Sequence, residues 1–149
     1  MSPVVGVLVL IVLTVLLVTI VAVGASTLTL ESGGPTAAFD LTADSGTSEI
    51  TIEHVAGDRI DVEELSVTVA VNDDPLAAQP PVPFVGATGF DGAPRGAFNA
   101  EADPEWRVGE QVGFTVAETN DPGIDAGDSV TVTLAVDGYR VAALETTAR

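Results

Sequence analysis

Residues 1–30 decide how this chain is organised, and they read MSPVVGVLVLIVLTVLLVTIVAVGASTLTL. No charged side chain occurs before Glu31, and all charged residues of the protein follow from there. From Val4 to Val23, sixteen of the twenty residues are Val, Leu or Ile. An apolar segment avoids water and an acidic segment is readily solvated. The sequence therefore predicts two parts that are suited to different surroundings.

The apolar segment has the length of a membrane span. As an α-helix, Val4 to Val23 would be about 30 Å long, the thickness of a bilayer core. Its backbone would have to bond internally in hydrocarbon, which favours helix in spite of the many β-branched residues. We predict a long hydrophobic helix within residues 1–30, followed by a hinge at residues 31–35 that contains Gly33, Gly34 and Pro35.

Three interpretations of this helix compete. A cleavable secretory signal needs a basic n-region and a shorter apolar run, and neither is present. A simple membrane anchor usually carries Lys or Arg on its cytoplasmic side. The third interpretation is a helix that packs against copies of itself, since a helix without a polar stripe must be buried on every side. The packing positions predicted on it are Val4, Val5, Gly6, Leu8, Ile11, Val12, Val15, Leu16, Thr19, Ile20 and Val23.

The remainder of the chain is strongly acidic. It contains 22 Asp and Glu against five Arg, with no Lys, and the formal net charge is −17. This charge excludes nucleic acid as a partner, because phosphate binding needs clustered Lys and Arg. Multimolar salt would screen the repulsion within such a domain, so the composition is typical of a protein from a high-salt environment. An ordinary acidic secreted domain is the alternative.

Alternating apolar and polar residues predict β-strands in residues 36–149. The clearest row runs from Ser129 to Val136, and Asp137-Gly138 then signals a two-residue hairpin turn. Six or seven short strands of this kind indicate a small antiparallel β-sandwich, immunoglobulin-like in type. The predicted fold class is therefore α+β, with a long N-terminal hydrophobic helix ahead of an acidic β-sandwich head domain.

The stretch from Asn72 to Arg107 interrupts the strand pattern. It is rich in Pro and Gly, and a loop of this length without structure is uncommon unless it is functional. One interpretation is a lid whose aromatic side chains cap the core. The other is contact with neighbouring subunits or with a surface, since aromatic residues are enriched at interfaces. The aromatic residues concerned are Phe84, Phe90, Phe98 and Trp106.

No catalytic motif is apparent, and we predict no enzyme activity, no cofactor and no metal site. His54 is the only histidine and no cysteine exists, so a structural role is expected for it. Asp121, Asp125 and Asp128 do not follow the EF-hand spacing and are interpreted first as turn residues, with weak calcium binding as the alternative.

Two stretches resemble a known family. Ser2-Pro3-Val4-Val5-Gly6-Val7 before an aliphatic helix, and residues 51–60, read TIEHVAGDRI, resemble the archaeal type IV pilins, especially their haloarchaeal branch. The resemblance implies a basic leader removed by a prepilin peptidase, so the chain is interpreted as the mature form, and it implies dedicated assembly machinery. Bacterial relatives carry Glu where Val5 stands. Archaellins, the subunits of the archaeal swimming filament, are the nearest competitor.

The functional expectation combines these observations. The chain is expected to be a structural subunit of an extracellular helical filament for surface adhesion and cell–cell contact. Its N-terminal helix would lie in the cytoplasmic membrane before assembly and would form a homopolymeric core afterwards. An archaellin subunit and a monomeric membrane-anchored surface binding module remain as alternatives.

Overall fold

A computed structural model describes the backbone of residues 3–28 and 34–149, and the side chains of residues 3–16 and 34–149. The chain divides into two compact units, Met1–Gly33 and Gly34–Arg149. In the first unit, the described residues form the α-helix α1 at Pro3–Leu28. The second contains the β-strands and is called the head domain below.

Local chemistry accounts for the start of α1. Pro3 occupies the first helical turn, where its missing N–H leaves no bond unmade. Thr14 is the only polar side chain among residues 3–16, and its hydroxyl donates to the carbonyl of Leu10 at 2.8 Å. The helix therefore satisfies its own polar groups in this part and presents an aliphatic surface.

The predicted membrane span requires a correction. Among the residues that the structure describes, no helix is long and apolar enough to cross a membrane. The predicted long hydrophobic span is therefore wrong, and with it the predicted fold class. The described residues form mostly antiparallel β-sheets.

The head domain contains ten strands and two one-turn 3₁₀ helices. The 3₁₀ helices lie at Val62–Glu64 and Gly96–Phe98. The strands are β1 Ala37–Asp44, β2 Glu49–Gly57, β3 Ile60–Asp61, β4 Leu65–Val71, β5 Asp74–Pro75, β6 Phe90–Arg95, β7 Glu105–Trp106, β8 Gln111–Val116, β9 Ser129–Val136 and β10 Tyr139–Thr147.

These strands form two four-stranded antiparallel sheets and a short two-stranded one. The first large sheet has the order β1-β2-β8-β6 and the second has the order β10-β9-β4-β5, while β3 pairs with β7. With the strands renamed in chain order, the large sheets read A-B-E-D and G-F-C-C′, the arrangement of immunoglobulin-like sandwiches. The two large sheets supply the opposite walls of one hydrophobic core.

The core is formed by every second residue of the strands. Val130, Val132 and Leu134 of β9 are fully buried from one sheet, and Ile50 and Ile52 of β2 are fully buried from the other. This period of two is the reason why these segments form strands, since it places apolar side chains on one face only. The alternation predicted for Ser129 to Val136 is confirmed.

The turn between β9 and β10 follows the hairpin prediction. Asp137 and Gly138 have φ of 49° and 85°, and two consecutive positive φ values are the requirement of a type I′ turn.

At the opposite end of the sandwich the chain terminus joins β1. The N–H of Arg149 donates to the carbonyl of Ala43 at 3.2 Å, and the N–H of Ser45 donates to the carbonyl of Arg149 at 2.9 Å.

Candidate functional site

The surface of α1 is the most prominent unexplained feature of the described residues. Eleven Val, Leu and Ile side chains between Val4 and Leu16 are between 53% and 64% exposed. A water-soluble domain normally hides such residues, and large exposed apolar patches mark interaction sites. The first candidate functional site is therefore the outer surface of residues 3–16.

The exposure is uniform around the helix. Of the predicted packing positions, Val4 is 63% exposed and Leu16 is 54% exposed, but Leu10, which was not predicted, is 64% exposed. The structure thus places the predicted residues on the surface without separating them from the rest. Side chains are not described for Thr19, Ile20 and Val23, so these three predictions lie outside the described residues.

Two details shape this surface. Gly6 leaves open space, because a Cβ built there meets nothing within 4 Å. A shallow groove of about 250 Å³ lies further along the helix, between Leu8, Val9, Val12 and Leu13. The Thr14 hydroxyl is turned back on the helix, so a partner would meet hydrocarbon only.

The four aromatic residues of the 72–107 stretch lie inside the head domain. Phe98 and Trp106 are fully buried, and Phe84 and Phe90 are no more than 7% exposed. Their rings pack in two pairs, with centroids 5.7 Å apart for Phe84 and Phe90 and 5.3 Å apart for Phe98 and Trp106, and Phe114 contacts one ring of each pair. This burial favours the lid interpretation. None of these four rings is exposed, so none of them is available for the suggested contact with other subunits or surfaces.

The stretch itself is held by backbone bonds rather than left as a long loop. The N–H of Phe84 donates to the carbonyl of Phe98 at 2.9 Å, and the N–H of Ala100 donates to the carbonyl of Phe84 at 3.1 Å. Sequence patterns missed this because β5 and β7 have only two residues each, and because β5 and β6 contain Pro. Such strands form because they pair with segments that are distant in the sequence. They are too short to show a periodic pattern of their own.

His54 has a structural position. It is fully buried and stacks on Phe39 with ring centroids 5.0 Å apart. Its Nδ1 lies 3.1 Å from the carbonyl oxygen of Trp106, and because a carbonyl only accepts, Nδ1 is the protonated nitrogen. Its Nε2 has no hydrogen-bond partner among the described groups. Within residues 3–16 and 34–149, no three His, Asp or Glu side chains lie close enough together to hold a metal ion.

Two of the three acidic turn residues, Asp125 and Asp128, are joined by a hydrogen bond. The carboxylate of Asp128 accepts from the backbone N–H of Asp125 at 2.9 Å and from the side-chain amide of Asn72 at 3.0 Å. The Asp125 bond, and after it the Asn72 bond, hold the pKa of Asp128 below its ordinary value. The segment from Asp125 to Asp128 is therefore a turn that the Asp128 carboxylate stabilises, as the spacing of these residues predicts.

The predicted hinge is described only in part. Gly33 lies outside the described residues. Gly34 has φ of +70°, and a Cβ there would lie 3.0 Å from the Cβ of Tyr139. Pro35 follows without regular structure before β1 begins. The glycine is therefore required at position 34 for both its backbone conformation and its close approach.

Comparison with models of known protein families gives no match, and no curated protein matches the chain either.

Proposed function

We propose that this chain is a structural subunit of an extracellular helical filament of the type IV pilin kind, assembled through α1. The observation that carries the proposal is the uniform apolar exposure of residues 3–16. The resemblance of Ser2 to Val7 and of residues 51–60 to pilins supports the same function. Under this proposal the filament serves surface adhesion and cell–cell contact.

The geometry of the exposure favours many copies over a pair. One partner helix covers only one side of α1 and leaves the other aliphatic side chains in water. Several surrounding copies cover all sides, and a helix that is apolar all round needs that burial. A helical filament in which each α1 is enclosed by neighbouring α1 helices provides this arrangement.

The expected free energies of burial also favour enclosure of α1 by several copies. Full burial of a Val, Leu or Ile side chain is worth about 1.5–3 kcal/mol. Eleven such side chains, already half covered by their own helix, would contribute on the order of 10 kcal/mol per subunit. Association costs roughly 4–15 kcal/mol of freedom. Complete enclosure therefore gains a free energy comparable with the association cost, whereas one partner helix, which covers only one side of α1, gains less.

The head domain would form the outside of such a filament. All charged residues lie after Leu30, so the filament surface would be acidic and its core would be free of charge. Repulsion between the acidic heads falls as salt rises, because the screening length is about 3 Å at 1 M. Assembly is therefore expected to improve with salt concentration.

Electron microscopy of the purified full chain tests the proposal. Long fibres of constant width are expected, and they should persist on dilution. Ile11→Asp places a carboxylate among the aliphatic side chains and is expected to abolish fibres. Thr42→Asp on the head domain is the control and should leave fibres intact. A chain that stays monomeric in high salt would contradict the proposal.

Deletion of the gene in the source organism tests the role of the filament. Surface attachment is expected to be lost while swimming is retained. Lost swimming with normal attachment would show an archaellin and would overturn the adhesion role, although the filament itself would stand.

A further inference from the structure

The two outer faces of the head domain differ sharply in charge. The outward residues of the central strand β9 are half-buried, small and uncharged, namely Ser129, Thr131, Thr133 and Ala135. The neighbouring strand β4 adds three more small, uncharged residues, of which Ser66 and Thr68 are exposed and Ala70 is half-buried. Together with the outward side of β10 they form a surface that we call the neutral face.

The neutral face has no net charge. Its β10 part contributes one base, Arg140, opposite Ala135, and one acid, Glu145, opposite Thr131. The hydroxyl of Ser129 also donates to Glu145 at 2.9 Å. In a chain with a formal net charge of −17, a complete sheet face that balances to zero is an exception that composition does not explain.

The outward side of the other large sheet, which we call the acidic face, has the negative charge that is typical of the rest of the head-domain surface. Its strands β1, β2 and β6 present five carboxylates and one guanidinium, a net charge of −4. Arg95 pairs with Glu49 at 2.7 Å and lies over Gly113, which leaves four acids without a cation. The residues are Asp40, Asp44, Glu49, Glu53, Asp91 and Arg95.

From this difference we infer that the neutral face is a self-association surface, on which the same face of a second copy docks. Two acidic faces would repel each other, and a neutral face set against an acidic one would bury carboxylates without partners, which is costly. Neutral on neutral is the pairing that avoids both penalties. Such a contact is isologous, with the same patch on each copy.

The size of the face fits a weak contact. Three strands at about 4.8 Å spacing and seven residues at about 3.3 Å rise give roughly 14 by 23 Å. Two such faces cover only roughly 650 Å² in total, well below the about 1,200 Å² at which stable interfaces begin, so the contact is weak and transient. The pairing of heads does not depend on the filament proposal, and isolated copies should show it in high salt.

Cysteine cross-linking in the full chain tests the inference, because the protein has no cysteine of its own. Thr133→Cys places one thiol at the centre of the neutral face. Thr115→Cys is the matched control, since Thr115 is also a half-buried outward Thr on a central strand, between Glu49 and Asp91. In molar salt under oxidising conditions, Thr133→Cys is expected to give at least about tenfold more disulfide dimer than the control, a ratio equivalent to about 1.4 kcal/mol.

A charge variant separates docking from random collision. Thr68 lies directly opposite Thr133 in the register, so Thr68→Asp in the Thr133→Cys chain brings extra carboxylates into the contact and is expected to lower the dimer yield about tenfold. Thr42→Asp on the acidic face should not change it. If Thr133→Cys fails to fold, as judged by its thermal transition, Thr68→Cys replaces it with the same expectation.

Equal dimer yields from Thr133→Cys and Thr115→Cys, or no dimer from either, would overturn the inference. Fibres without face-specific dimers would leave the proposed function standing and remove only this surface. Face-specific dimers without fibres would do the reverse.

Discussion

The helix and the head domain differ in the exposure of their large apolar side chains. Residues 3–16 of α1 expose every large aliphatic side chain that they contain, whereas the head domain buries Ile50, Trp106 and Leu134 almost completely. The head domain is stabilised by contacts within its own chain. Under the proposed function, other copies of the chain cover the helix surface. Assembly and folding should therefore respond to different substitutions.

The largest expected effect comes from a charge on the helix. Leu10→Asp should abolish assembly, because an unpaired carboxylate buried among aliphatic side chains costs several kcal/mol. The thermal transition of the head domain should be unchanged. Electron microscopy and calorimetry measure the two properties, and a lowered transition would show that the units are not independent.

The second effect concerns the core of the head domain. Trp106 is fully buried, contacts Phe39, His54 and Phe98, and donates its Nε1–H to the carbonyl of Glu110 at 2.9 Å. Trp106→Ala should lower the free energy of unfolding by about 3–5 kcal/mol. Chemical denaturation measures this. Tyr139→Ala removes a 55% exposed ring and should change it by about 0.5 kcal/mol or less.

A buried amide gives a smaller and more specific effect. Asn120 is 5% exposed, and its Nδ2 donates to the carbonyls of Ala78 and Gly89 while its Oδ1 accepts from the N–H of Ala78. Asn120→Asp sets a carboxylate against two carbonyl oxygens and should destabilise the head domain by about 3 kcal/mol at neutral pH.

Asn99→Asp is the matched control for that change. The side chain of Asn99 accepts from the N–H of Glu101 through Oδ1, and Asp retains this acceptor. Denaturation should show a change within about 0.5 kcal/mol. A similar loss for both variants would mean that added negative charge, rather than the lost amide donors, weakens the domain.

The smallest effect is the titration of Asp128. Bonds from the Asp125 N–H and then the Asn72 amide lower its pKa, so its contribution to stability is present above the unfolded value of about 3.9 and is lost as pH falls through the lower folded value. In a carboxyl NMR titration, Asn72→Ala should raise the pKa of Asp128 toward its ordinary value. Asn99→Ala should leave it unchanged.

Local patterns predicted the strands that are long and strictly alternating. β9 and the turn at Asp137-Gly138 were readable because period two and a pair of residues that tolerate positive φ are local properties. The short strands β5 and β7 were not readable, since two residues carry no period. The position of Trp106 inside the core, and not on an assembly surface, likewise depends on pairing with β3, far away in sequence.

The sequence by itself determined that apolar and charged residues are separated along the chain and that the acidic part alternates as strands do. Both follow from residue order, which sets the period of a strand and the absence of charge before Glu31. Only the tertiary structure decided that the four aromatic residues are internal and that one sheet face is neutral while the other is acidic. Residues from β4, β9 and β10 share a face only after the register brings them together, because charge balance on a surface depends on neighbours in space and not on neighbours in the chain.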